Sequence, residues 1–201
     1  MFYEPMKRNH GLPRDPIKSL VAPRPIGWIT SLRADGAVNL APYSFFNLVS
    51  DRPPVAMFSS DGEKDSLKNV RETGEFVCNI VTADFTDAMN ITSAPFAYGV
   101  NEAEKAGLAL EASTLVKPPR VKGIAAALEC KVTRIVPVHG VDGTSGQYVM
   151  VLGEVVGVYV DPRVLTDGFV DSARMQMLAR LGYMDYAVVD RTFALERPPG
   201  G

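Results

Sequence analysis

The stretch from Tyr148 to Val160 constrains this chain more than any other. Val149, Val151, Val155, Val156, Val158 and Val160 crowd into it. β-branched side chains at that density suit a pleated strand better than a helix. Gly153 and Gly157 interrupt the run. Glycines inside a strand predict bulges or bends, as where a barrel curves. Ala126 to Val138 is a second long strand of the same kind, and shorter candidates fill the first half. Ile26 to Leu32 ends at Ala34-Asp35-Gly36-Ala37, and Val38 to Ala41 starts the return. Asp35-Gly36 reads as a hairpin turn pair because both positions tolerate positive φ. Pro54 to Ser59 is another apolar run. Glu75 to Thr82 alternates, with Phe76, Cys78 and Ile80 on one face and Val77, Asn79 and Val81 on the other.

Helical signals are fewer. Asp65 to Thr73 has an acidic start, with Asp65 read as the N-cap. Asp84 to Asn90 and Asn101 to Ala106 are short candidates. Ser172 to Leu181 carries Met175, Leu178 and Ala179 at helical spacing, with Gly182 as its C-cap. Six or seven strands with short peripheral helices do not make a βαβ repeat. The fold class expected is β-rich (α+β), a β-barrel with appended helices. No G-x-G-x-x-G follows a strand, so no Rossmann site is encoded. The length of 201 residues suits one domain. Residues 1–17, with Pro5, Pro13 and Pro16, read as an irregular arm, and residues 197–201 as a flexible tail.

Charge and composition exclude several functions. The net charge is −2, so no basic excess exists to bind nucleic acid or an anionic membrane. No apolar run reaches the roughly 18 residues of a membrane span, and no apolar segment follows Lys7 and Arg8 to make a secretory signal. A cytoplasmic protein with Cys78 and Cys130 as buried thiols is expected. The only histidines are His10 and His139, and neither belongs to a metal-ligand cluster. A chain this short of proton-transfer groups suits a cofactor that carries the hard chemistry.

Four segments have the residue types for such a site. In Arg24-Pro25-Ile26-Gly27-Trp28-Ile29-Thr30, Trp28 and Thr30 share a strand face. They would suit a planar ring with a polyol tail, or would simply be core. Asn39 to Asn47 runs from a strand into Pro42, Tyr43, Ser44, Phe45 and Phe46. Irregular backbone there needs partners, which a heteroaromatic edge or other protein groups would supply. Ser59, Ser60, Gly62, Lys64, Asp65 and Ser66 lie between a strand and a helix start, the composition of an anion site or of an exposed, capped loop. Arg180, Tyr183 and Tyr186 cluster near the C-terminus, where an arginine would clamp an anionic group or merely end a helix.

These pieces resemble the flavin reductase-like FMN-binding split-barrel family related to flavoredoxin, over roughly residues 18–190. Seven motifs arrive in that family's order: Arg24-Pro25-Ile26-Gly27-Trp28, Asn39 to Phe46, Lys64-Asp65-Ser66, Ala106-Gly107-Leu108, Leu128-Glu129-Cys130, Gly153-Glu154-Val155 and Arg180-Leu181-Gly182. The resemblance implies a Greek-key split barrel, a homodimer, and FMN (or FAD) near the dimer interface. Ser44, Phe45, Phe46 and Asn47 would border the isoalloxazine. Ser59, Ser60, Lys64, Asp65 and Ser66 would surround the phosphate, and Trp28 and Thr30 the ring or ribityl side. NAD(P)H would be the electron donor and a free flavin or other small molecule the acceptor. One departure stands out. Related reductases often carry Gly-Asp-His before the Gly-Glu-Val strand, and that His is associated with the nicotinamide. Here the stretch is Gly146-Gln147-Tyr148. A non-catalytic electron carrier or partner subunit is therefore the alternative, and a barrel without cofactor the remaining one.

Overall fold

A computed structural model describes residues 1–200. Seven strands form one antiparallel sheet: β1 (Gly27–Leu32), β2 (Val38–Tyr43), β3 (Phe46–Asp51), β4 (Pro54–Asp61), β5 (Glu75–Ile80), β6 (Ala126–His139) and β7 (Ser145–Val160). Their spatial order is β2-β1-β5-β6-β7-β4-β3. The valine-rich segment is β7, which pairs with β6 on one side and β4 on the other. Its register slips between Leu152 and Gly153 and again between Val155 and Gly157, so both interrupting glycines do mark irregularities. At Gly153 the reason is steric: a Cβ would stand 2.5 Å from the Phe76 ring.

The sheet curls until strands distant in its order meet. Tyr43 on β2 packs on Phe58 of β4 with ring centroids 4.8 Å apart. Phe46 of β3 presses onto β1 so closely that a Cβ at Gly27 would stand 2.5 Å from its ring. The interior holds Ile29, Phe58, Leu67, Phe76, Cys78 and Cys130. Trp28, Val77, Val81, Met89 and Ile124 fill a second cluster on the outer face of β1 and β5. The alternation of β5 therefore assigns its side chains to two cores rather than to core and solvent. Asn79, on the outer face, is fully buried. It donates to Trp28 O at 2.9 Å and Thr30 Oγ1 at 2.7 Å, and accepts from the Val121 N–H at 2.8 Å. The thiols of Cys78 and Cys130 are buried and unpaired.

Helix α1 (Asp65–Thr73) carries the chain from β4 to β5. Leu67 and Val70 are its apolar anchors, and Gly74 in the left-handed region (φ 71°) ends it. Its first residue is Asp65; the N-cap is Lys64, extended at φ −86°, ψ 166°, with no side-chain cap. Asp65 is thus not the cap expected of it. Two short helices follow, α2 (Thr86–Ile91) and α3 (Glu102–Lys105). The Asp35-Gly36 hairpin forms with only Gly36 at positive φ, closed by the Arg33 N–H on Ala37 O.

The region after residue 171 differs from its helical spacing. The helix stops at Met175, and Gln176 turns left-handed at φ 52°. Leu178–Arg180 then becomes a strand between Arg24–Pro25 and Tyr186–Val188. Pairing on both edges, burial of Leu178 and the Arg24 guanidinium on Leu181 O at 2.7 Å outweigh local helix propensity. Gly182 therefore caps no helix. No helix among the described residues is long and apolar enough to cross a membrane.

Gly153→Val should destabilise the fold by about 1–3 kcal/mol through overpacking against Phe76. Urea unfolding of the two proteins measures it; equal midpoints would show that β7 does not need the glycine.

Candidate functional site

A cavity of about 540 Å³ opens at one end of the curled sheet. Four irregular segments converge on it. Tyr43, Ser44 and Phe45 come from the turn between β2 and β3, where the Phe45 carbonyl accepts from the Ser59 N–H at 2.9 Å. Ser59 and Asp61 come from the end of β4, Lys64, Asp65 and Ser66 from the start of α1, and Ser93–Phe96 from the segment after α2. Tyr148 on β7 closes one side, its ring 5.6 Å from Phe45.

Six of the eleven residues expected at the site line this cavity: Ser44, Phe45, Ser59, Lys64, Asp65 and Ser66. The other five lie elsewhere. Ser60 is buried behind the wall, its hydroxyl donating to Gly62 O at 2.8 Å, so it shapes the loop. Phe46 points into the barrel against Gly27. Asn47 is exposed, and its side-chain oxygen accepts from the Leu48 N–H. Trp28 and Thr30 are fully buried in the outer core. Trp28 satisfies its indole N–H on Thr92 Oγ1 at 2.8 Å, and Thr30 accepts from Asn79. In a sheet with cores on both faces, sharing a face with a hydroxyl does not make an aromatic face a ligand. Trp28 supports the wall indirectly, since Thr92 lines the cavity.

Several cavity residues carried no recognisable signal. Lys18 comes from the helical turn Ile17–Leu20, and Glu102 from the start of α3. Ser93–Phe96 has no periodicity to read. Glu102 is nearly buried, and its carboxylate accepts from the Leu40 N–H at 3.0 Å. Burial, followed by the nearby negative charge of Asp65, raises its pKa against the opposing hydrogen bond.

The chemistry of the donors fits an anionic ligand with a flat apolar part. The first N–H groups of a helix have no intrahelical acceptor, and nothing caps those of α1 from a side chain. Ser59, Ser66 and Lys64 line the same cavity, the Ser66 hydroxyl accepting from Asn39 Nδ2 at 2.8 Å. Two neighbouring carboxylates are already engaged: Asp61 by Gln147 and Tyr148, and Glu63 by Arg71 at 3.3 Å. The Tyr43 hydroxyl is buried at the cavity wall next to the Ser60 and Ser66 hydroxyls, with no hydrogen bond of good geometry. Burial also pushes its pKa up. Phe45 and Tyr148 offer the aromatic surface. Tyr148 donates to Asp61 Oδ2 at 3.2 Å, and burial and that carboxylate hold its pKa above the usual phenol value. Cavities of 300–1,000 Å³ with few polar groups on apolar walls are typical cofactor sites.

Comparison with known proteins identifies the family and the fold. Residues 20–181 match the flavin reductase like domain family, and the chain belongs to that family. Nitrilotriacetate monooxygenase component B from Bacillus cereus superposes with a TM-score of 0.84 at 30% identity, covering 94% of this chain and 96% of that one. The 2-nitrobenzoate 2-nitroreductase NbaA of Pseudomonas fluorescens gives 0.80 at 34%, covering 90% and 88%. A split-barrel protein of Shewanella frigidimarina assigned as a flavin reductase gives 0.78 at 26%, covering 99% and 94%. The curled sheet is thus the split barrel of this family, and flavin-linked redox chemistry is its class of activity.

Glu102 gives the site a pH signature. Its folded pKa lies above its unfolded value, so as pH rises from about 4 the unfolded chain loses this proton first. The group then costs stability, increasingly until pH passes its raised folded pKa, and constantly above. Glu102→Gln should therefore gain stability relative to wild type across that window and then level off. Chemical denaturation at a series of pH values reads this; a difference independent of pH would refute it.

Proposed function

We propose that the cavity holds FMN and that the protein is a flavin-dependent oxidoreductase, taking reducing equivalents from NAD(P)H and delivering them to a free flavin or another small acceptor. The observation that carries this reading is the uncapped N-terminus of α1, opening beside Ser59, Ser66 and Lys64 into a cavity of cofactor size. A phosphate monoester there would accept from the N–H groups of Asp65, Ser66 and Leu67 and from both hydroxyls, with Lys64 balancing its charge. A ring system would lie along Phe45 and Tyr148, its polar edge facing the backbone of Ser44 and Phe45. When bound, the flavin supplies a centre that accepts hydride and passes electrons on.

The chain's own groups orient and shield. Tyr148, held by Asp61 and with a raised pKa, keeps its proton at neutral pH and serves as a hydrogen-bond donor, not a base. Ser93–Phe96 borders the cavity on the α2 side. The relatives support the class of chemistry: a monooxygenase component, a nitroreductase and a protein assigned as a flavin reductase share this fold at 26–34% identity. We further infer a homodimer. The edge strand β3 exposes Leu48 and Val49 at about half of their surface, and pairing would cover them.

A second reading rests on Tyr148. It stands where related reductases carry a nicotinamide-linked histidine, and this favours a carrier reduced by a partner protein. Steady-state oxidation of NADH or NADPH with added flavin separates the two: turnover supports the reductase, and its absence despite bound flavin supports the carrier. For the phosphate assignment, Lys64→Ala combined with Ser59→Ala should weaken FMN binding at least tenfold, about 1.4 kcal/mol, and leave riboflavin nearly unchanged. Equal losses for both ligands in fluorescence titrations would reject it.

A further inference from the structure

The cavity wall holds a buried carboxylate that the proposed redox chemistry does not use. Glu102, at the start of α3, is 7% exposed and lines the cavity together with Asp65. Its Oε2 accepts from the Leu40 N–H at 3.0 Å. No salt bridge among the described residues includes it. The residue before Leu40 on β2 is Asn39, which donates to the Ser66 hydroxyl at 2.8 Å. Glu102 is thus tied to the strand that also holds one of the proposed phosphate ligands.

The elements around Glu102 give it little positive charge. From α1, Asp65 adds a carboxylate whose charge it senses. From β2, the buried Tyr43 phenol senses both acids and keeps its proton. On α3 itself, Glu104 accepts from Asn101 Nδ2, and Lys105 ends the helix. Arg33 and Lys68 lie over the Tyr98 ring, 5.0 and 4.5 Å from its centroid. Elsewhere on the cavity wall, Asp61 is engaged by Gln147 and Tyr148, and Glu63 by Arg71. Lys18 and Lys64 are the cavity's cations. A phosphate monoester brings close to two negative charges at neutral pH. The two lysines offset those and leave both carboxylates facing the anion. Like charges repel most where water screens least. Asp65 is partly exposed, whereas Glu102 is buried. Glu102 is therefore the acid that yields. Burial, followed by the charge of Asp65, already raises its pKa against the Leu40 hydrogen bond. Once protonated, it still accepts from Leu40 through one oxygen and gains a donor on the other.

We propose that Glu102 takes up a proton from solvent when a phosphate ester enters the cavity, so that FMN and a proton bind together and leave together. The step is carboxylate plus proton to carboxylic acid, with no other bond made or broken. The proposal rests on FMN binding in this cavity. It makes Glu102 a determinant of phosphate binding, because riboflavin brings no charge to trigger the uptake. Below the pKa of Glu102 in the empty protein the acid is already protonated and nothing is taken up. Between that value and the higher one in the complex, FMN binding consumes a proton and weakens as pH rises. Above both, uptake ceases and the weakening levels off.

Calorimetric titration of FMN, and separately of riboflavin, counts the protons when each is repeated in two buffers of different ionisation enthalpy. The series runs from about pH 4 to pH 8. At its maximum the wild type should take up about one proton more per FMN than Glu102→Gln, which keeps the phosphate's own titration but not the carboxylate's. Riboflavin should bring no such difference. At pH values above the uptake window, Glu102→Gln should bind FMN more tightly than wild type, by about tenfold for each pH unit the window spans. A residue that only supports the wall would lose affinity instead. Should that variant fail to fold, Asp65→Asn supplies a second reading: with this charge removed, the uptake maximum should move to lower pH. Equal proton counts in wild type and Glu102→Gln overturn the proposal. So does an equal uptake with riboflavin, or an uptake that stays in place or vanishes in Asp65→Asn. FMN that binds without these protons refutes the role of Glu102 alone, whereas FMN that does not bind at all refutes the flavin reading beneath it.

Discussion

A helix that begins without a cap, at the open end of a curled sheet, is the feature on which this structure turns. The chain must pass from β4 to β5, strands far apart in the sheet order, and α1 makes the crossing. Leu67 and Val70 fasten it to the barrel core, so the helix cannot turn its first N–H groups into bulk water without losing that packing. Burying two such side chains is worth about 3–6 kcal/mol, several times what a capping side chain contributes. Packing therefore sets where the helix starts, and its uncapped first turn lies at the cavity wall.

The sheet supplies the second half of that arrangement. Register slips at Gly153 and Gly157 bend β7, and the bend brings Phe58 of β4 against Tyr43 of β2. The same curvature sets the Ser44-Phe45 turn beside Ser59 and Tyr148. A flat sheet would leave these segments apart. The candidate site is thus built from loops held by a rigid scaffold, a common division of labour.

Much of this was legible from residue order alone. The β-branched run, its glycines, the Asp35-Gly36 hairpin and the limits of α1 follow from local stereochemistry, and the loop of anion-site composition, Ser59–Ser66, does line the cavity. Two things were not legible. Trp28 and Thr30 resembled a ligand face because alternation along a strand shows which side chains share a face, not whether that face meets a second core. Leu178–Arg180 looked helical because spacing reports propensity, whereas Arg24 and the strand pairs that override it lie more than 150 residues away or beyond a turn. Glu102 and Lys18 reach the cavity only through the fold, with no motif to announce them.

The central claim is that this cavity holds a flavin phosphate, and the visible absorption spectrum of the purified protein tests it most directly. The structure predicts flavin bands, either as isolated or after adding one equivalent of FMN and removing the excess by gel filtration, with FMN recovered on denaturation. A protein that stays colourless through that procedure would contradict it.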